Sequence, residues 1–108
     1  MSYVMIDLHT LNSQSFADQL HTRFTVRAGE AAPLTLELIE VSAPPTPPNI
    51  EFFSLHFRGP ITPRLQQHIH RFEHEKLGTF DLFLTVIGAD EAGTTYEVIF
   101  HRMRKKRP

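Results

Sequence analysis

Apolar and polar residues alternate along several segments of the chain, as they do in strands that bury one face. Gly, Pro and Asp separate these segments, and such residues are typical of turns. One segment, 79–87, is apolar on both faces near its middle, which indicates a central strand or a contact with another chain. The pattern predicts six strands, over residues 24–27, 34–41, 51–58, 67–72, 79–87 and 95–101.

A short helix is predicted before the first strand, over about residues 13–20. It begins near serines that can act as N-caps, and Phe16, Ala17 and Leu20 share one helical face. A helix of this length with one apolar face is expected to cover one end or one edge of the β core.

The predicted strands lie roughly ten residues apart, without the alternation of strands and helices that marks a parallel sheet. The chain has 108 residues, of which 41% are hydrophobic, and this suits one globular domain. We therefore predict a mostly β fold, a single small β-barrel or β-sandwich of about six strands with one short N-terminal helix. The domain is expected to span 1–102 and to be followed by a basic C-terminal tail, 103–108. Its predicted core contains Phe53, Leu55, Phe57, Leu82, Leu84, Val98 and Phe100.

Charge is distributed unevenly along the chain. The part before the C-terminal end holds six basic and twelve acidic residues, so an acidic body precedes a basic tail. Such a tail can neutralise phosphates, but the acidic body lacks the basic, aromatic-studded face of a nucleic-acid reader. Five of the eleven basic residues make up this basic end, which begins at the last residue of the predicted domain: Arg102, Arg104, Lys105, Lys106 and Arg107.

Two features of the composition bear on compartment and chemistry. The chain contains no cysteine, which excludes disulfides, thiolate metal sites and thiol nucleophiles. The first residues, MSYVMIDLHTLNS, lack the basic region and the apolar run of a signal peptide or a membrane span. We therefore expect a soluble cytoplasmic protein without a membrane partner.

Seven histidines make a metal site worth weighing, and three of them, His68, His70 and His74, lie in the segment HIHRFEH. On a strand, His68 and His70 project from one face at a spacing that some metal sites use, and His56 could approach them. The spacing is short and common, however, and no fourth ligand is placed. We therefore predict a mainly exposed segment, no metal site and no cofactor.

Enzymatic chemistry finds no support in the sequence. The serines lack a nucleophile-elbow context, the glycines lie singly at turns, and the acidic residues are scattered.

Arg58, next to Gly59 and Pro60, is expected to hold a loop in place by donating hydrogen bonds to carbonyl oxygens or by pairing with an acid such as Asp81.

The series FSLHFRGP, HEKLGTFDLFLTVIG and YEVIF resembles a family of small bacterial proteins known only as a domain of unknown function. The resemblance covers nearly the whole chain except its termini, and it implies no activity and no catalytic residues. It also suggests gene neighbours that encode secreted, phage-tail-collar-like fibre proteins, and with them an accessory or assembly role and such a fibre protein as partner.

The second apolar face of segment 79–87 is the main argument for a partner. Phe83 and Ile87 must lie under the helix, inside a closed barrel or against another chain. We predict a non-enzymatic protein-interaction or assembly module that forms a homo-oligomer or binds a protein partner. The alternatives are a small-ligand-binding β-barrel and, third, nucleic-acid binding through the tail. The predicted contact residues are Phe83, Ile87, Ile99, Arg104, Lys105, Lys106 and Arg107.

Overall fold

The computed structural model describes residues 5–103 and shows a mostly β fold with one short helix. A 3-10 turn at Leu8–Thr10 precedes helix α1. The elements are α1 (Ser13–Ala17), β1 (Arg23–Arg27), β2 (Leu34–Ser42), β3 (Ile50–Gly59), β4 (His68–His74), β5 (Gly78–Asp90) and β6 (Gly93–Met103). The predicted fold class is therefore confirmed.

The six strands form one antiparallel sheet that closes on itself in the order β1-β2-β3-β6-β5-β4. Closure depends on β1, which pairs with β2 on one side and with β4 on the other. Every ladder between neighbouring strands is antiparallel. Of the two predicted closures, the sheet takes the barrel-like one, in which a single sheet wraps around the core.

The interior of the closed sheet is filled by side chains. All seven predicted core residues are buried, so the period-2 reading of these strands was correct. Phe72 and Tyr96 join them from β4 and β6 and are fully buried. Burial of this many aromatic and aliphatic side chains is the main source of the stability of the domain.

Helix α1 covers one end of the sheet with a single side chain. Asn12 caps its N-terminus by accepting a hydrogen bond from Ser15 N at 3.0 Å, and Ser15 Oγ accepts in return from Asn12 N. Phe16 is fully buried, whereas Ala17 and Leu20 are exposed. The predicted three-residue apolar face is wrong because the helix ends at Ala17, one turn earlier than expected.

The ring of Phe16 fills the end of the sheet together with three core phenylalanines. Its centroid lies 6.0 Å from Phe53, 6.0 Å from Phe80 and 5.6 Å from Phe100. Arg102 lies over the Phe100 ring at 5.2 Å from its centroid. These contacts make α1 a plug for one end of the closed sheet.

Arg102 belongs to the folded domain and not to the tail. Its Nε donates to Glu51 Oε1 at 2.7 Å, and its terminal nitrogens donate to the carbonyl oxygens of Leu8 and Leu11. The guanidinium therefore ties the segment before α1 to β3 and β6. Strand β6 also includes Met103, the first residue of the predicted tail.

The corner at Gly59 depends on close approach of two backbones. A Cβ on Gly59 would lie 2.4 Å from Leu36 Cδ2, and one on Gly93 would lie 2.1 Å from the Gly59 carbonyl oxygen. Arg58, which precedes this corner, has a buried Nε without a hydrogen-bond partner. Asp81, the acid proposed for Arg58, pairs with Arg71 at 3.2 Å instead. The prediction of that particular pair was wrong.

The β5–β6 hairpin is tighter than the sequence indicates. Both strands extend into the predicted loop, and only Glu91 and Ala92 form the turn. Asp90 Oδ1 accepts a hydrogen bond from Ala92 N at 2.8 Å, and Gly93 has a φ of 135°, which a residue with a side chain rarely adopts. Turn chemistry therefore shortened a loop that appeared seven residues long.

Candidate functional site

Three apolar side chains lie exposed in neighbouring positions on the outer face of the closed sheet. Ile69 on β4, Phe83 on β5 and Ile99 on β6 are 56%, 51% and 55% exposed. We call these three residues the outer apolar row. Phe83 and Ile99 were predicted contact residues, whereas sequence reasoning missed Ile69 because the fourth strand gave a weak pattern.

The strand register explains why these residues meet. Ile69 and Phe83 are direct cross-strand partners in the β4–β5 ladder. In the β5–β6 ladder, Thr85 is the partner of Glu97. Phe83 lies two residues before Thr85 on β5, and Ile99 lies two residues after Glu97 on β6. Both residues line the same groove. Side chains two residues apart share one face of a strand, so the three residues form one row across three strands.

A groove of about 320 Å³ lies between β5 and β6 beside this row. The matched pairs of the β5–β6 ladder run from Thr85–Glu97 to the hairpin, and the groove lies on the other side of Thr85. Near the start of β5, Ile6 N donates a hydrogen bond to Thr79 O at 2.8 Å, so the segment before α1 pairs with the edge of β5 at that point. The groove is therefore an incompletely paired stretch of the sheet.

Charged and polar side chains border the outer apolar row on both sides. Arg71 and Asp81, the next cross-strand pair on the same face of the β4–β5 ladder, form an ion pair with an Nε–Oδ1 distance of 3.2 Å. On the other side, Glu97 Oε2 lies 2.9 Å from Nε2 of His56, whose Nδ1 is 3.3 Å from Glu40 Oε1. An apolar centre with a polar rim is the usual anatomy of a protein interface.

Ile87 is exposed, but it does not belong to the row. The β5–β6 register shifts between Val86 and Gly88, which makes Ile87 the extra residue of a β-bulge. The sequence predicted Phe83 and Ile87 on one face because side chains four residues apart share a face of a regular strand. The bulge interrupts this alternation at Ile87. The four predicted tail residues, Arg104, Lys105, Lys106 and Arg107, lie outside the described residues.

His74 has a structural role in the β4–β5 turn. Thr22 Oγ1 donates to Gln19 O at 2.7 Å, so His74 Nε2 must donate to this oxygen at 2.8 Å. His74 Nδ1 accepts from the backbone nitrogens of Lys76 and Leu77, at 3.0 and 3.2 Å. This arrangement needs a neutral ring. Burial lowers the pKa of His74; the charge of Glu75 opposes this shift, and the charge of Lys76 adds to it to a smaller extent.

The three histidines of the HIHRFEH segment do not converge on one point, because the rings of His68 and His70 lie 5.9 Å apart whereas His74 is at the other end of β4. His70 is buried, and its Nε2 donates to Gln66 O at 2.7 Å, while His68 is exposed at the start of β4. His56 lies on the outer face with its carboxylate partners and does not approach them. The prediction of a mainly exposed HIHRFEH segment was wrong for His70 and His74. Within residues 5–103, no group of three or more His, Cys, Asp or Glu side chains is arranged to hold a metal ion.

The fold and the outer apolar row define a small closed-sheet β domain with an apolar surface on its outer face. Over residues 11–100 the chain matches the family model described as domain of unknown function DUF6916. The protein therefore belongs to this family, as the strand motifs indicated. Neither a curated protein nor a solved structure matches the chain significantly. No helix among the described residues is long and apolar enough to cross a membrane.

Proposed function

We propose that this protein is a non-enzymatic interaction module that associates with a second copy of itself through the outer apolar row. The observation that supports it most directly is the exposure of Ile69, Phe83 and Ile99 beside a groove, on a domain whose interior is already filled. Neighbouring apolar side chains of this size on a surface are typical of interaction sites. The polar rim around them restricts the orientation in which a partner fits.

The charge distribution favours a second copy as the occupant. Arg102 is engaged inside the domain, so the chain up to Met103 carries twelve acidic and seven basic residues, while four basic residues lie at 104–107. An acidic body and a basic tail on the same chain are complementary between two copies. In a two-fold dimer the opposite charges of two copies attract each other, and the same patch serves both subunits.

The groove beside the row adds a second means of association. Strand edges without a partner accept further strands, and the N-terminal segment already does so at Thr79. Where β5 and β6 lack matched pairs, an extended segment of the second copy can add backbone hydrogen bonds to the apolar contact.

Sedimentation equilibrium over a wide concentration range tests this proposal. We expect reversible self-association that Phe83→Ser weakens about tenfold or more, because it removes an aromatic residue from the centre of the contact. Ile61→Ser is the matched control, since Ile61 is 45% exposed but lies in the β3–β4 loop, away from the row. Truncation after Met103 should weaken the association and reduce its dependence on salt.

Several outcomes oppose the proposal. A wild-type protein that stays monomeric at every concentration contradicts self-association, and an Ile61→Ser variant as impaired as Phe83→Ser contradicts the assigned surface. Binding of a different protein by a monomer, for example a phage-tail-collar-like fibre protein, would favour the accessory role that the family resemblance implies. A cytoplasmic location remains part of the proposal.

The two alternative functions have less support. The interior of the closed sheet is filled, so a ligand would have to bind outside the barrel interior. Nucleic-acid binding would depend on the four basic residues at 104–107, because Arg102 is engaged with Glu51.

A further inference from the structure

A second cavity lies at one end of the closed sheet. Its volume is about 640 Å³, within the range of small-molecule sites. The β1–β2 turn, the β3–β4 loop and the start of β4 surround it. We call it the end cavity. It shares Ile69 with the outer apolar row.

The floor of the end cavity is apolar and continuous with the core. Leu65 is buried and belongs to the core cluster, and Ala28 and Leu34 pack against that cluster. Pro63 and Ile69 extend the apolar lining toward the opening. A floor supported by the core does not collapse when the cavity is empty, which lowers the cost of binding.

The rim of the end cavity is basic. Arg64 donates its Nε to Ile61 O at 3.1 Å, and its two terminal amino groups have no partner among the described residues. His68 and His70 lie at the same rim with ring centroids 5.9 Å apart, and Arg27 is ion-paired with Glu73 at 2.7 Å. The residues that line the cavity include no aspartate and no glutamate.

One ring nitrogen of His70 is also directed by the fold. Its Nε2 donates to Gln66 O, since a carbonyl oxygen can only accept, so Nδ1 is the nitrogen left for a ligand. Nδ1 accepts a hydrogen bond when the ring is neutral and donates one when the ring is protonated. The guanidinium of Arg64 can therefore donate to a bound anionic group, and Nδ1 of His70, which lines the same cavity, can donate only when the ring is protonated.

The loop that carries Arg64 is anchored at both ends. The hydroxyl of Tyr96, which is fully buried, accepts a hydrogen bond from Leu65 N at 3.0 Å. On the other side of Arg64, Thr94 Oγ1 donates to Ile61 O at 3.4 Å. These contacts hold the backbone on both sides of Arg64, and donation from Nε to Ile61 O directs its guanidinium.

We propose that the end cavity binds a small molecule with an apolar body and one anionic group, a carboxylate, sulfonate or phosphate. The apolar body packs on Leu34, Leu65 and Ile69. The anionic group accepts hydrogen bonds from the terminal nitrogens of Arg64, whose planar fork matches these acid groups. No carboxylate among the lining residues pairs with Arg64, so its charge is available to the ligand.

Two fluorescent probes that differ in one group test the proposal. The first is 8-anilino-1-naphthalenesulfonate, and the second is N-phenyl-1-naphthylamine, which has the same rings without the sulfonate. We expect one strong site for the anionic probe and weaker binding of the neutral one. Arg64→Gln should lower the affinity for the anionic probe about tenfold or more and leave the neutral probe nearly unchanged. Arg23→Gln, which removes an exposed arginine from β1 outside the cavity, is the matched control.

Two further variants distinguish the end cavity from the outer apolar row, which can also bind such dyes. Ala31→Trp places a large side chain in the cavity from an exposed position and should abolish the strong site. Phe83→Ser should leave it intact. Equal affinity for the two probes, no effect of Arg64→Gln, or loss of the site in Phe83→Ser but not in Ala31→Trp would each overturn the proposal.

Displacement of the anionic probe identifies the ligand chemistry. Hexanoate or hexyl phosphate should displace it, and whichever does so at the lower concentration names the acid group. Hexanol and inorganic phosphate should displace it poorly, because each lacks one of the two parts. Displacement by hexanol as effective as by hexanoate and hexyl phosphate would contradict the role of the basic rim.

Discussion

At the scale of single residues, His74 shows how burial turns a titratable side chain into a structural one. Its ring packs on Phe24 with a centroid distance of 4.3 Å, donates to Thr22 and accepts from the turn that joins β4 to β5. A proton on Nδ1 would replace an acceptor by a donor that faces two backbone N–H groups. Stability is therefore expected to depend on the protonation of His74.

The free energy of unfolding should fall as the pH drops below the ordinary histidine pKa, about 6.5. The pKa of His74 is lowered in the folded protein, mainly by burial, so the unfolded chain binds the proton first. The stabilisation contributed by neutral His74 is fully present above the pKa of the unfolded chain. It is lost as the pH falls, and the loss is complete below the lowered pKa of the folded protein. Denaturant unfolding between about pH 8 and pH 5 measures it.

Comparison of variants isolates His74 from the other groups that titrate in this range. His74→Gln should be less stable than the wild type near pH 8 and should show a smaller loss of stability on acidification. His9→Gln removes an exposed histidine and should keep the wild-type pH dependence. An unchanged pH dependence in His74→Gln would contradict this role.

At the scale of elements, α1 contributes almost entirely through Phe16. This short helix buries only one side chain, yet its ring contacts three phenylalanines from three strands. Phe16→Ala should reduce the free energy of unfolding by about 3–5 kcal/mol, because it leaves a cavity at the end of the sheet. Leu20→Ala is the control, since Leu20 is exposed and its loss should cost less than about 1 kcal/mol. Equal losses of unfolding free energy in the two variants, measured by chemical denaturation, would show that α1 does not plug the end of the sheet.

At the scale of the whole molecule, β5 has one face in the core and the other on the surface. Leu82 is 4% exposed and its neighbour Phe83 is 51% exposed. Leu82→Ala should cost about 2–5 kcal/mol in chemical denaturation, and Phe83→Ala much less in the monomer. A loss for Leu82→Ala below about half a kcal/mol would contradict the assigned register.

The alternation of the strands was predictable because it is a local property of the chain. Phe53, Leu55 and Phe57 all face inward as their spacing requires, and the cross-strand partners of β3 and β6 follow from it. The outer apolar row was predictable only in part. Phe83 and Ile99 stand out in their strands, whereas Ile69 joins them through a register that depends on the closure of the sheet.

The bulge at Ile87 and the roles of the histidines were not predictable, since they depend on residues distant in sequence. His74 Nε2 has a hydrogen-bond partner because Thr22, fifty-two residues away, supplies an oxygen beside it. Arg102 appeared to belong to the basic tail, but Glu51 and the carbonyl groups before α1 draw it into the domain. Charge and composition cannot distinguish a solvated cation from one that a fold has paired.

The sequence by itself determined the secondary structure class, the inward face of each central strand and the family, because these depend on local periodicity and on motifs. Tertiary structure alone decided that the sheet closes through β1 and β4 and that the closed interior is full. It also decided that Arg64 and His70 line one cavity with an apolar floor. These arrangements depend on strand register and loop anchoring, since contacts such as Tyr96 to Leu65 join residues that lie far apart in the chain.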